Sequence, residues 1–344
     1  MNLLPGPLSV GAYVTQAQVV VEALRMGARI AERLRVPASV PWMSKSDRSP
    51  VTVADYAVQA AVGRLLRKSD PTLPMVAEEA VAALRAERAD PLREAIVKTL
   101  QDEVPGASED AVLEWIDWGG AEPPEGRPFW ILDPVDGTRG FLAARRYVVA
   151  LALIDRGEVI LGGLACPGAR PRSVDGGPTN DGGSDGVLAL AVRGGGAWMT
   201  GLGGGKWAPM GVSDLGDAAR SRVLVSAEPA HLDTGRLAQV SSLMGLESAP
   251  TPMDSQVKYA LLAAGEFDLV LRLPRRAEKQ KIWDFAAGVC IVEEAGGVVT
   301  DLEGDRLRFD SGVDLPNPPG VIASNGRLQP VALAAVAKAR KSAV

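Results

Sequence analysis

Along residues 10–35 apolar side chains return at roughly helical spacing: Tyr13, Ala17, Val20, Val21, Leu24, Ala28 and Ile30. That period predicts an amphipathic helix. A stretch broken by Pro37, Pro41 and Pro50 follows, and residues 52–68 predict a second helix with Thr52 placed to cap it. Residues 74–77 are a short apolar run ending in Glu78 and Glu79, as in a buried strand that delivers two carboxylates to its end. From 80 to 118 Glu, Arg, Ala and Leu dominate, with a break at Pro105-Gly106. This predicts solvated helices with no special role.

Further along, the apolar runs shorten. Strands are expected at 129–132, 187–192 and 197–200, and as a hairpin of 147–154 with 159–166 across Asp155-Arg156-Gly157-Glu158. Residues 167–185 are rich in Pro, Gly, Asp and Ser, which predicts a mobile loop. From Ser221 on, strands alternate with helices: strand 223–226, helix 231–244, helix 255–264, strand 269–273 and helix 284–295. No internal repeat is found. The order predicts an α+β protein with an N-terminal α+β lobe over residues 1–200 and a C-terminal α/β lobe over 201–344.

Composition narrows the chemistry. The 344 residues are 47% apolar and 23% charged, which allows a large core and excludes a wholly disordered chain. Charges of 37 basic against 42 acidic residues leave a net −5, too balanced for a nucleic-acid polymer bound by field alone. No run reaches the ~18 apolar residues of a membrane helix. The N-terminus lacks a basic leader, and Pro5, Pro7, Gln16 and Gln18 interrupt its apolar residues, so secretion is not expected. A cytoplasmic protein is expected, or a plastid or mitochondrial one if a transit peptide has been removed. Cys166 and Cys290 cannot build a disulfide framework or a four-thiolate zinc site, and they fit a reducing compartment. With His231 the sole histidine, metal chemistry must use oxygen ligands.

Three local patterns fail as sites. Gly-Leu-Gly-Gly-Gly-Lys at 201–206 looks like a phosphate loop, but Thr200 replaces its first glycine and Trp207 its Ser/Thr; it reads as a flexible connection between strands. The run 181–186 lacks the middle acidic ligand of a calcium loop and has Val192 in place of the closing glutamate. His231 has no Gly-x-Ser-x-Gly elbow to serve as a triad base.

The carboxylates carry the chemistry. In Trp130-Ile-Leu-Asp133-Pro134-Val135-Asp136-Gly137-Thr138 a strand is expected to end at Asp133, with Pro134 keeping that residue extended. A sharp turn then lets Asp133, the Val135 carbonyl and Asp136 converge, three hard oxygens suited to Mg²⁺. The backbone N–H groups of Gly137 and Thr138 could hold a phosphate oxygen. Adjacent Glu78 and Glu79 in an apolar setting repel unless a cation or a basic group compensates. Asp284, in Trp283-Asp-Phe-Ala-Ala-Gly288, is expected to begin a helix, and Thr52 and Asp55 sit three apart near another helix start.

The order Asp55, Glu78-Glu79, Asp133-Pro-Val-Asp136-Gly-Thr138, Trp283-Asp284-x-Ala-Ala-Gly resembles, at every element, the Mg²⁺-dependent, lithium-sensitive phosphatase superfamily of inositol monophosphatase and fructose-1,6-bisphosphatase. Ser44-Lys-Ser-Asp47-Arg-Ser-Pro50-Val-Thr52-Val-Ala-Asp55-Tyr56, Gly137-Thr-Arg-Gly-Phe-Leu142, Asp254-Ser255-Gln-Val-Lys258-Tyr259 and Leu271-Arg272-Leu-Pro274 look most like its 3′(2′),5′-bisphosphate nucleotidases. The resemblance spans nearly the whole chain. It implies a layered αβαβα fold and hydrolysis of the 3′-phosphate of adenosine 3′,5′-bisphosphate to AMP and phosphate, with phosphoadenylyl sulfate a second substrate. Inositol phosphatase activity on a bisphosphate or monophosphate is the nearest alternative, and a catalytically idle nucleotide sensor a more distant one.

By the same resemblance, Glu78, Asp133 and the Val135 carbonyl would hold one Mg²⁺. Asp133, Asp136 and Asp284 would hold a second, and a third could sit near Asp55. Asp55 and Thr138 would activate water. Gly137, Thr138, His231, Ser255, Lys258, Arg272 and Asp284 would contact the substrate. The implied partner is a small nucleotide, not a membrane or a nucleic-acid polymer, and the chain is expected to be a monomer or a weak homo-oligomer. After Gly140-Phe-Leu142 the related pattern Arg-Gly-Asp-Gln-Tyr is replaced by Ala143-Ala-Arg-Arg146-Tyr147, which adds basic charge beside the phosphate turn.

Overall fold

Helix α1 (Val14–Arg33) buries Ala17, Val20, Val21, Leu24, Ala28 and Ile30, most of the apolar stripe that its sequence sets out. It begins four residues later than the period predicts, because Gly11 has a φ of +116° that no helix continues through. This is a computed structural model, and it describes residues 4–35, 42–44, 50–86, 89–169, 186–228, 232–275, 279–316 and 320–341. His231 and residues 170–185 of the expected loop lie outside the described residues.

A short hairpin of β1 (Trp42–Ser44) and β2 (Pro50–Thr52) leads into α2 (Val53–Ser69). Thr52 caps α2 by accepting from the Ala54 amide, and Asp55 returns a bond to the Thr52 amide to close a capping box. After β3 (Met75–Ala77) come α3 (Asp90–Gln101) and α4 (Glu109–Asp117). The expectation of solvated helices is corrected here: Leu92, Ile96, Leu100, Val112 and Ile116 are buried in the core that contains α2. Their charges lie on the outward faces only, as in any half-buried helix.

Next come β4 (Phe129–Asp136), the short α5 (Thr138–Leu142), β5 (Val148–Asp155), β6 (Glu158–Pro167), β7 (Gly186–Val192), β8 (Gly196–Gly201) and β9 (Ala208–Pro209). With β3 they form a seven-stranded sheet in the order β3-β4-β5-β6-β7-β8-β9. Only β3 and β4 run parallel in it. β4 does not stop where Asp133 was expected to end it. Its register against β5 shifts between Asp133 and Asp136, and Asp136 rejoins the ladder opposite Val148. Pro134 has no N–H to donate, so the strand bulges around it and continues.

The second sheet takes β10 (Val223–Ser226), β11 (Thr251–Met253), β12 (Leu269–Arg272), β13 (Val298–Thr300) and β14 (Val321–Ser324) in the order β11-β10-β12-β14-β13. Helices α6 (Thr234–Met244), α7 (Val257–Ala263), α8 (Ala286–Glu294) and α9 (Gln329–Lys341) accompany it. Both α6 and α7 start later than expected. Asp284 sits in a 3₁₀ turn (Ile282–Asp284) ahead of α8 and caps no helix.

Three apolar cores hold five layers together, the second of them filling both spaces beside α7 and α8. α1 and α2 cover one face of the large sheet; α7 and α8 fill the space between the sheets; α6 and α9 cover the outer face of the small one. The result is the αβαβα sandwich. Paired glycines in β6 make the stacking close: a Cβ on Gly162 would lie 2.6 Å from the Ala287 carbonyl oxygen, and one on Gly163 2.6 Å from Leu24 Cδ1. The strand is therefore bare on both faces where α8 and α1 press on it.

Candidate active site

The ends of β3 and β4, the 253–258 turn and the 282–284 turn meet at a cleft of about 520 Å³. Glu78, Asp133, Val135, Asp136, Gly137, Thr138, Ser255, Lys258, Arg272 and Asp284 all line it. Asp55 lies behind Thr138. Residues more than two hundred positions apart in sequence, Glu78 and Asp284 among them, thus line one cleft.

Each carboxylate is aimed by identifiable backbone. The Glu78 amide donates to the Leu132 carbonyl, tying the end of β3 to β4. Buried Gln59 of α2 accepts from the Glu79 amide at 3.0 Å and donates to the Glu79 carbonyl at 2.7 Å, so it holds the Glu78-Glu79 corner in place. Asp133 is 2% exposed, and its Oδ1 has no hydrogen-bond partner among the described residues. Asp136 Oδ2 accepts the Gln256 amide at 2.5 Å.

Gln256 is a residue that the sequence did not single out. Besides its amide bond to Asp136, its side chain donates to the Trp283 carbonyl (3.0 Å) and accepts from the Gly288 amide (3.1 Å). One buried glutamine thus joins the end of β4, the turn bearing Asp284 and the first turn of α8. A glutamine between Ser and Val carries no sequence signal for this.

The electrostatics are those of crowded negative charge. Burial raises the Asp133 carboxyl well above the usual range, and Glu78, Asp136, Asp284 and Asp55 add to that rise. Burial also raises Asp136, against the pull of Lys258 and the Gln256 amide. Burial pushes Asp284 up to about 7, opposed chiefly by Arg272, whose Nη2 lies 3.6 Å from Asp284 Oδ2. Such a cluster is costly unless a cation joins it. Among the described residues no three carboxylate, imidazole or thiolate groups already form a coordination shell. The donor set nevertheless fits a hard divalent cation: oxygen donors only, with one buried carboxylate oxygen unsatisfied at their centre.

On the other wall, the Thr138 hydroxyl oxygen lies 3.2 Å from Asp55 Oδ1 and 3.1 Å from the Val135 carbonyl oxygen. Asp55 is fully buried, and its Oδ2 accepts from the Thr52 amide (2.7 Å) and hydroxyl (2.6 Å). The Thr52–Asp55 pair is therefore a helix cap and a support for Thr138 at once. Gly137 takes a φ of +90°, and a Cβ there would meet Ser255 Cβ at 3.2 Å, so glycine alone fits this turn.

Lys258 and Arg272 are less free than basic side chains in a substrate pocket usually are. Lys258 is 7% exposed, and its Nζ donates to the carbonyls of Met253 (3.1 Å) and Ser255 (2.6 Å), holding Ser255 in a left-handed turn at φ +60°. Burial pushes its ammonium down to about 8, despite nearby Asp136. Arg272 stacks on Phe285 with its Cζ 4.9 Å from the ring centre, and its buried Nε has no partner among the described residues. Near the mouth Arg139 pairs with Glu228, and Arg145 with Asp254 at 3.3 Å. Arg35 of the α1 end donates to the carbonyls of Ala144 and Arg145, fixing the loop after α5.

The sequence profile of the inositol monophosphatase family matches residues 11–342. A 3′(2′),5′-bisphosphate nucleotidase of Oryza sativa is 36% identical over 344 aligned positions, covering 96% of this chain and 95% of its own. One from Emericella nidulans is 38% identical, covering 87% of this chain and 91% of its own. Among solved structures, a Thermotoga maritima IMPase superposes with a TM-score of 0.61 at 19% identity, covering 94% of this chain and 96% of that one. No helix among the described residues is long and apolar enough to cross a membrane.

Proposed function

The chain belongs to the inositol monophosphatase family, and from that premise we propose that it is a phosphatase removing the 3′-phosphate of adenosine 3′,5′-bisphosphate, giving AMP and phosphate. The names of its curated relatives support this substrate class. Phosphoadenylyl sulfate, which carries the same 3′-phosphate, is a second substrate in this reading.

The observation that carries the proposal is the orphaned, buried Asp133 oxygen facing Glu78, Asp136 and Asp284 across from the Thr138–Asp55 pair. We assign Glu78, Asp133 and the Val135 carbonyl to one Mg²⁺ and Asp133, Asp136 and Asp284 to a second, with a third possible near Asp55. Bound there, magnesium supplies positive charge that acidifies water and offsets the charge on the phosphoryl oxygens. The chain's own part is positional. Thr138 orients the attacking water and passes its proton to Asp55, whose second oxygen stays anchored on Thr52. The amides of Gly137 and Thr138 meet a phosphoryl oxygen at the turn into α5. Ser255, Lys258 and Arg272 face the remainder of the nucleotide, with His231 at its sugar or base.

In this reading residues 1–200 contribute most metal ligands, and residues 201–344 contribute Asp284 and the substrate contacts. Phosphate release from adenosine 3′,5′-bisphosphate, inositol 1,4-bisphosphate and inositol 1-phosphate, in Mg²⁺ with and without Li⁺, tests the proposal. Preference for the nucleotide with inhibition by Li⁺ is expected. Preference for either inositol phosphate would overturn the substrate assignment and leave the metal site standing.

A further inference from the structure

The glycine run 201–206 does not act as a nucleotide phosphate loop: it joins β8 to β9, and no helix follows it. Yet the structure puts unsatisfied donors around it. Thr200, 3% exposed, has an Oγ1 with no hydrogen-bond partner among the described residues. Arg25 of α1 has a buried Nε in the same condition. Both groups flank the same two residues. A Cβ built on Gly205 would lie 3.7 Å from Thr200 Oγ1, and one on Gly204 would lie 3.8 Å from Arg25 Nη2.

Burial disfavours the Arg25 guanidinium, and the like charge of Arg29, one turn along α1, adds to this. No ion pair is formed by Arg25, Arg29 or Lys206 among the described residues. Gly204 and Gly205 take φ values of +112° and +132°, conformations that bring a main chain without side chains against the arginine. Two like charges one turn apart, a buried unpaired hydroxyl and a bare loop cost stability unless a ligand of opposite charge uses them. Guanidinium forks and a hydroxyl are the donors that hold tetrahedral oxyanions.

We propose that Arg25, Arg29 and Thr200, with the 203–206 backbone, form a second anion site, for a phosphate or sulfate group. It is separate from the cleft. Thr200 pairs with Leu188 of β7 and shares the α1 face of the large sheet, four strands from β4. At the usual spacing between strands that is about 19 Å from the carboxylates. The group bound is either a free inorganic anion or the phosphate of a nucleotide, and both present the same oxygens.

The test is calorimetric titration of the full chain with sodium sulfate, inorganic phosphate and AMP, in EDTA, where the carboxylate cleft repels anions. Binding of sulfate is expected in wild type and in Asp136→Asn, which alters the cleft alone. Arg29→Gln should weaken it ~10-fold or more, a loss of ~1.4 kcal/mol, and Thr200→Val should weaken it as well. Arg29 is exposed, so its replacement leaves the fold intact, and unchanged turnover in Mg²⁺ serves as the control. Tighter binding of AMP than of the inorganic anions, weakened with theirs in Arg29→Gln, would identify a nucleotide phosphate as the ligand; equal binding would identify a free anion. Absence of sulfate and phosphate binding in wild type, or binding that survives Arg29→Gln undiminished, would overturn the site. Loss of the site with Asp136→Asn would also overturn it, by placing the anion in the cleft.

Discussion

The hydroxyl oxygen of Thr138 and Oδ1 of Asp55 stand 3.2 Å apart although 83 positions separate them in the chain. Asp55 cannot swing away from this contact, because its other oxygen takes two bonds from Thr52 at the start of α2. In the proposed mechanism this carboxylate is the proton acceptor, and a helix cap sets its position.

Asp55→Asn should therefore keep most of the capping geometry and lose the base. Turnover is expected to fall ~10²–10⁴-fold with KM nearly unchanged, and Thr138→Ala should resemble it while Thr138→Ser retains much of the rate. Steady-state kinetics with a melting curve for each variant checks this. A melting point that collapses in Asp55→Asn would assign the residue to capping alone.

The carboxylate cluster sets a pH dependence of stability with a definite sign. Burial pushes the Asp284 carboxyl up to about 7 from the ordinary aspartate value of 3.8, and Asp133 and Asp136 are raised by burial as well. An acid with a raised folded pKa costs nothing below its unfolded pKa and penalises the folded state increasingly as pH rises to the folded value. Protein stripped of metal should thus lose stability from about pH 4 to about 7, and Mg²⁺ at pH 8 should restore it. Asp133→Asn should melt higher than wild type in EDTA, while being inactive in Mg²⁺. Melting curves across that range decide the point, and a metal-free protein that gains stability with pH would contradict the cluster's assignment.

The parts of the site that could be read from sequence were those whose geometry is local. Asp133, Asp136, Gly137 and Thr138 fall within one turn, so spacing located them, whereas Thr52 and Asp55 read alone as a capping pair and Asp55 joined the site only through the family resemblance. The continuation of β4 through Pro134 was not legible, because it depends on Asp136 finding Val148 on the neighbouring strand. Gln59 and Gln256 were missed for a related reason. A glutamine reads as surface, and their bonds to Glu79 and to the Trp283 and Gly288 backbone cross 20 to 32 positions. The five layers followed from the family resemblance, whereas β11, β13, β14 and α9 gave no clear period. The resemblance implies Lys258 as a substrate contact; that its ammonium is committed to two carbonyls required the folded turn.

Gln256 offers a separable measurement. Replacing it by Ala strands the Trp283 carbonyl and the Gly288 amide in the interior, at a cost of ~1–3 kcal/mol. The same change frees the Asp284 turn from the end of β4. The concentration of Mg²⁺ for half-maximal activity should rise severalfold, with a smaller drop in turnover at saturating metal. Equal losses at all Mg²⁺ concentrations would point to general destabilisation instead.

Lys258 holds a turn, and the proposed function gives it a substrate contact besides; different parameters report the two. Its bonds to the Met253 and Ser255 carbonyls shape the turn that hands the Gln256 amide to Asp136, so Lys258→Met should lower kcat for every phosphate ester. Its charge faces the cleft, so the same change should raise KM for a bisphosphate and leave KM for a monophosphate almost untouched. With its ammonium pushed down to about 8, the charge is lost as pH rises past that value. KM for the bisphosphate alone should therefore climb in wild type between pH 7 and 9, and that climb should vanish in Lys258→Met. A KM that changes equally for both esters would confine Lys258 to the turn and leave the second phosphate to Arg272.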